Sequence, residues 1–250
     1  MSEKLVNRII DKIDKLPSFS KVANDALVAE RQKSIEGKPS ADQGLHDPRF
    51  AKQILQMTNF TSYGLSGNRA GFFESETFVD EDVLRGVLLG SSIYEFLDKE
   101  LPGYRLEQGA IWEHSMNCAV TSWMIATKVG YEDLEAVFVA GLLHDVGKVV
   151  MDEFISEEND KIVDITSDET LTQAEAERAV FGMDHAEAGA RIAEKWNFDD
   201  RVVEAIRYHH QPELANKEPD LTTIIHLADC LCISLGLTSD SDGFLKLIAG

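Results

Sequence analysis

The chain has 250 residues, 44% hydrophobic and 27% charged, a balance that excludes disordered and collagen-like classes and allows a sizeable core without disulfides or a structural metal. Lys and Arg number 24 against 44 Asp and Glu, a formal net charge of −20. That field repels phosphate backbones and anionic lipid, so neither nucleic acid nor a membrane surface is an expected partner.

In chain order, Leu5, Ile9, Ile10, Ile13 and Leu16 follow helical three-four spacing until Pro17 stops them. The charged, aliphatic start has no signal-peptide core, and a cytoplasmic protein is expected. A second amphipathic stretch carries Phe19, Val22, Ala23, Ala26 and Leu27. Asp47-Pro48 is a helix-start signal for a segment bearing Phe50, Ile54, Leu55 and Thr58. Residues 59–80 are glycine-rich and aromatic, read as a solvated loop with core anchors or as a lid or partner surface. A helix is then expected over residues 82–101.

Five helices are expected in the second half, over residues 111–129, 133–150, 185–197, 200–210 and 221–235. Gly130 and Gly236 stand at C-terminal glycine positions, Pro212 bars continuation of the fourth helix, and Asp184 and Asp199 are N-cap candidates. Residues 151–179 are strongly acidic and read as a short helix plus loops on the surface. The three cysteines, Cys118, Cys230 and Cys232, sit in apolar helical patterns without a paired spacing, as buried free thiols do. No run of alternating β-branched residues marks a sheet, so the expected fold is all-α.

Candidate chemistry concentrates in the second half, where six of the seven histidines fall. Its centre is Leu142-Leu143-His144-Asp145-Val146-Gly147-Lys148. A His and an Asp side by side at the end of an apolar helix are costly to bury unless paired or bound to a metal. His114, His185, His209, His210 and Asp229 are likewise set among apolar neighbours on expected helices. For any one of them a hydrogen-bonded core residue is the simpler reading; for the whole set, helices converging on one cation-binding hole is the better account. Imidazole with carboxylate and no thiolate suits Fe, Mn, Ni, Zn or Mg, and one or two divalent ions are expected. An Asp in this setting can bridge two metals, which could then activate a water and neutralise a phosphoryl group.

At these residues the chain resembles the HD superfamily of metal-dependent phosphohydrolases, and more closely its HDOD branch. The resemblance runs through Trp112-Glu113-His114, the segment around His144-Asp145, Asp184-His185-Ala186-Glu187-Ala188-Gly189-Ala190, His209-His210-Gln211-Pro212 and Leu227-Ala228-Asp229. In the first half it is looser, through Leu16-Pro17-Ser18, Asp47-Pro48, Asn59 and Leu89-Gly90. It implies a single all-α HDOD domain over residues 1–250. An N-terminal helical half, 1–108, would pack on an HD-type half, 109–240. It implies a first metal held by His114, His144, Asp145 and Asp229. A second would share Asp145 and use His185 with His209 or His210.

Lys148 resembles a lysine that approaches the substrate phosphate; the alternative is an exposed helix-end cation. The resemblance thus implies a signalling protein with an HD metal site and a phosphohydrolase activity on a nucleotide-like phosphomonoester or phosphodiester. The alternative is a non-catalytic metal- or ligand-binding module working through protein partners. No Gly-Tyr-Pro follows His209-His210, and Ala110 replaces a glutamate found in some HD-GYP phosphodiesterases, so cyclic di-guanylate hydrolysis is a weak expectation. His226, three residues before Asp229, is a candidate donor to that carboxylate or an ordinary interhelix hydrogen-bonder.

Overall fold

A computed structural model describes residues 2–19, 93–94, 96–158, 162 and 171–237. The expectations placed on residues 20–92, including the glycine-rich stretch, lie outside them. The chain divides into two compact units, one made of Met1–Ser18 with Phe96–Gly250, the other of Phe19–Glu95. Every candidate metal ligand belongs to the first unit.

The described residues are helical and contain no strand, as the all-α reading expected. Eight α-helices are described: α1 Ser2–Asp14, α2 Ala110–Val129, α3 Leu134–Leu143, α4 Lys148–Glu157, α5 Gln173–Phe181, α6 His185–Lys195, α7 Asp200–Tyr208 and α8 Pro219–Ser234. No described helix is long and apolar enough to cross a membrane.

Local chemistry explains the boundaries. Asp133, Asp184 and Asp199 each accept a backbone N–H of the helix they open, from Ala136, Glu187 and Arg201. Thr172 and Glu175 form a reciprocal capping box on α5. Gly130 ends α2 at φ 76°, a left-handed conformation that L side chains resist.

The core is built around α3, buried at every position from Ala136 to Leu143. Such all-round burial requires neighbours on every side. Those neighbours are α2, α7 and α8. Gly141 lets α2 come close, since a Cβ there would stand 2.8 Å from Ala119 Cα. On the far side α4 and α6 pack together, and α1 lies against α4, α5 and α6 through buried Leu5, Ile9 and Ile13.

Three expected elements differ. Residues 133–150 form two helices rather than one, because the chain tightens into i→i+3 bonds from Leu143 to Lys148 before α4 begins. The acidic stretch 151–179 is not simply surface: among its described residues Met151, Phe154, Ile155, Ala174, Ala176 and Glu177 are buried, while Glu153 and Glu157 are exposed. The helix expected over 82–101 has ended before Asp98, and Leu101 instead pairs with Leu106 in an isolated antiparallel bridge. Of the thiols, all free, Cys118 and Cys232 are buried and Cys230 is only half-buried.

Candidate metal centre

His144 and His209 owe their orientation to one local device. Each is the C-cap of its helix, α3 or α7, and its ring turns back so that Nδ1 donates to the carbonyl three residues earlier. His144 reaches Gly141 O at 2.8 Å and His209 reaches Ile206 O at 2.7 Å. With Nδ1 committed, Nε2 faces the cluster. His185 is the first residue of α6, and its Nδ1 pairs at 2.8 Å with Oε2 of Glu177.

Asp145 stands between two groups of imidazoles and divides its oxygens between them. Oδ2 lies 3.4 Å from Nε2 of both His114 and His144. Oδ1 lies 3.4 Å from His185 Nε2 and 3.9 Å from His209 Nε2. On the first side, Asp229 Oδ1 is 3.2 Å from His114 Nε2 and 3.7 Å from His144 Nε2. On the second, His210 Nε2 is 2.8 Å from His185 Nε2. Donor atoms of His114, His144 and Asp229 therefore cluster within 4.8 Å, as do those of His185, His209 and His210. All seven of the residues singled out from sequence as metal ligands converge. All are buried except His210, which is partly exposed.

Two close approaches make this convergence possible. A Cβ on Gly147 would stand 1.9 Å from His185 O and 2.6 Å from Gly189 N. Only glycine lets the turn after Asp145 touch the start of α6, which holds His185 within reach of Asp145. Gly189, one turn into α6, meets Gly147 N from the other side at 3.3 Å from its would-be Cβ. The glycines of the two motifs are a matched pair.

Electrostatics follow the geometry. Asp145 is driven well below the usual carboxylate range: burial opposes this, but Lys148 and the imidazoles outweigh it. Asp229 falls to about 2, with His114 overcoming burial. His114 is raised because the bond and charge of Asp229 exceed its desolvation. His209 drops to about 3, and His210 well below its usual value, through burial and neighbouring imidazoles. His185 rises to about 10, since Glu177 overrides burial.

Lys148 is not the exposed helix-end cation of the alternative reading. It begins α4 and is 1% exposed, and its Nζ is 2.9 Å from Asp145 Oδ2 and 5.6 Å from the Tyr104 ring centroid. His226 does not reach Asp229's carboxylate: its Nδ1 takes the His209 carbonyl at 2.7 Å, steadying the turn that presents the paired histidines.

Two contributors escaped the sequence reading, Glu177 and Tyr104, and Gly189 stood in a quoted motif without an assigned role. Glu177 left one trace, since it falls at helical spacing between buried Ala174 and Phe181, an acid on an apolar face.

The donor set suits a divalent cation. Asp145 Oδ1 and His209 Nε2 are buried and find no hydrogen-bond partner among the described residues. Leaving such atoms unsatisfied costs about 1–3 kcal/mol each. Nitrogen and oxygen donors crowded without thiolate match the harder first-row ions.

Comparison with known proteins gives the family. The HDOD domain model matches residues 16–212. The chain belongs to the HDOD domain family. An HDOD domain protein of unknown function from Geobacter sulfurreducens is 25% identical, with a TM-score of 0.61 over 95% of this chain and 74% of that one. A candidate phosphohydrolase from Shewanella amazonensis SB2B shares the fold at 19% identity, with a TM-score of 0.63 over 96% and 86%. An uncharacterized protein of Treponema pallidum is 24% identical over 88% of this HDOD chain and 43% of its own length. Ribonuclease Y of Mycoplasma capricolum is 30% identical over 48% of this chain and 18% of its own. The chain thus spans less than half the length of these curated relatives.

Proposed function

We propose that this HDOD chain is a signalling protein whose HD half holds one or two divalent metal ions and hydrolyses a phosphomonoester or phosphodiester of a nucleotide-like ligand. The observation that carries the reading is the division of the Asp145 oxygens between two imidazole groups, with a buried ammonium beside them. His114, His144, Asp229 and Oδ2 of Asp145 would hold one ion. His185, His209 or His210, and Oδ1 of Asp145, would hold the other. The chemistry supplied by a divalent ion held there would be a lowered pKa of water and stabilisation of charge developing on phosphorus.

The chain's own residues do the rest. The carbonyls of Gly141 and Ile206 and the carboxylate of Glu177 hold the rings so that Nε2 atoms point inward. Lys148 keeps a positive charge at the cluster, where an anionic group would be drawn and its oxygens met. The surrounding apolar helices exclude bulk water and strengthen every charge interaction inside.

Ribonuclease Y is by name a ribonuclease, and that likeness supports phosphodiester chemistry; the net charge of −20 favours a small anionic ligand over a long nucleic acid. The test is elemental analysis of protein purified without chelator. Turnover of p-nitrophenyl phosphate, bis-p-nitrophenyl phosphate and a short RNA is followed in the same preparation. We expect bound metal and metal-dependent hydrolysis of a small ester, reduced on the order of 100-fold or more by Asp145→Asn or His144→Ala. Absence of metal from both fresh and metal-supplemented protein would overturn the reading.

Retained metal without turnover would favour the second reading, a non-catalytic module acting on a partner protein. One observation supports it. Helix α6 begins at His185 in the cluster, and just past its end Trp196 donates from Nε1 to Pro17 O at 2.9 Å and meets the Phe96 ring edge-on at 5.4 Å. One rigid rod therefore joins the cluster to both points where the chain leaves and re-enters this unit.

A further inference from the structure

Among the described residues, the most deeply placed acid outside the candidate ligand set is Glu177 of α5, 0% exposed. Its carboxylate is saturated with donors. Oε2 accepts the backbone N–H of His185 at 2.7 Å and the ring Nδ1 of His185 at 2.8 Å. Oε1 accepts the Tyr104 hydroxyl at 2.8 Å and Gln173 Nε2 at 3.3 Å. Burying a carboxylate is expensive even when it is fully bonded. A core position that needed only packing would be filled by a leucine. The bonds tell what the acid achieves: two of the four hold one residue, His185, by its backbone and its ring together.

We propose that Glu177 is a positioning residue. By holding the Nδ1 proton of His185, it keeps Nε2 turned to Asp145 and so makes the His185 side of the cluster able to bind an ion. This inference rests on the two-ion reading of the proposed function. The Tyr104 turn completes the clamp from the opposite direction. Residues Pro102–Tyr104 form a 3-10 turn against α4, where Asp152 Oδ1 accepts Gly103 N at 2.8 Å. A Cβ on Gly103 would stand 2.5 Å from Asp152 O. The turn is therefore anchored to α4, and from that anchored position Tyr104 fixes Oε1 of Glu177 and lies edge-on to the His185 ring at 6.4 Å. Both oxygens of the acid are held, so the ring it holds has no second orientation with its hydrogen bonds intact.

Two other imidazoles of the cluster do not depend on this acid. His144 and His209 are oriented by backbone carbonyls of their own helices. Removing Glu177 therefore acts on one side of Asp145 and spares the other.

The experiment has two readouts on full-length protein. Ions retained after dialysis against metal-free buffer are counted for wild type, Glu177→Ala and Glu177→Gln, using cobalt(II) as probe. Long-range proton–nitrogen NMR of chelator-treated wild-type protein reports whether His185 Nδ1 carries a proton. Wild type should hold two ions and Glu177→Ala one, its affinity for the second falling about 10–100-fold. Glu177→Gln, whose amide oxygen can still accept from Nδ1, should recover most of the binding; a merely structural loss would not be rescued by it. Equal loss of both ions in a folded Glu177→Ala protein, or unchanged affinity for both, overturns the proposal. A His185 Nδ1 without its proton in wild-type protein overturns it whether or not the variants fold. Should wild type hold no cobalt while Nδ1 is protonated, the metal reading falls and the ring-holding role of Glu177 is supported.

Discussion

His144 and His209 come from different motifs, yet both sit at a helix C-cap and spend Nδ1 on a carbonyl three residues back. This arrangement needs no second chain segment, so an orienting bond comes built into the short peptide that carries each histidine. Glu204 shows the same economy in a stabilising role. Its buried carboxylate on α7 accepts the backbone N–H groups of Asn216, Lys217 and Glu218 at 3.0, 2.6 and 2.9 Å, at the entry to α8. Burial would raise its pKa, but the three backbone donors outweigh that and lower it. A depressed folded pKa means a contribution fully present above the ordinary glutamate value and lost as pH falls through the folded one. Glu204→Gln should therefore cost about 1–3 kcal/mol near neutrality. The gap from wild type should narrow as denaturant melts are taken below pH 4. A pH-independent gap would contradict this.

At the scale of helices, what assembles the cluster is the contact between the start of α4 and the start of α6. Gly147 is in an ordinary right-handed conformation, so its glycine identity reflects contact with His185 and Gly189, not backbone geometry. Gly130 is the reverse case, at φ 76° with nothing within 4 Å of an added Cβ. Gly147→Ala should drive α4 from α6 and abolish metal retention even where the protein still folds. Gly130→Ala should cost only about 1–2 kcal/mol from left-handed strain and leave metal retention unchanged. Thermal melts with elemental analysis separate the two. The helix expected over residues 133–150 failed for a related reason. Apolar periodicity continues through Val146, Val149 and Val150, while the break at 144–147 is imposed by the neighbouring helix whose backbone Gly147 touches.

Across the described unit, α1 joins the HD motifs although most of the intervening sequence belongs to the other unit. It is attached by apolar side chains and by exposed pairs, Arg8 with Glu157 at 2.8 Å and Lys12 with Glu153, both cations also lying over Phe154. Exposed pairs are worth about 0–1 kcal/mol, whereas truncating a buried isoleucine costs roughly 2–5 kcal/mol. Ile9→Ala should thus destabilise the protein several times more than Arg8→Ala in denaturant melts, and equal effects would refute the assignment.

How much was legible in the sequence depends on the range of the interaction responsible. Helical class and the N-caps at Asp184 and Asp199 depend on residue type and short spacing, and the candidate ligands on polar residues set among apolar neighbours, which the sequence displays directly. The motifs around His144 and His185 also sufficed to indicate the family. The role of Glu177, the burial of Lys148, the partner of His226 and the matching of Gly147 with Gly189 all depend on which helix comes to lie beside which. An acid in the 151–179 stretch looks solvated until α5 turns it inward toward His185. Tertiary structure alone decided these points, because a side chain's charge and hydrogen bonds are set by neighbours that the linear chain keeps far apart.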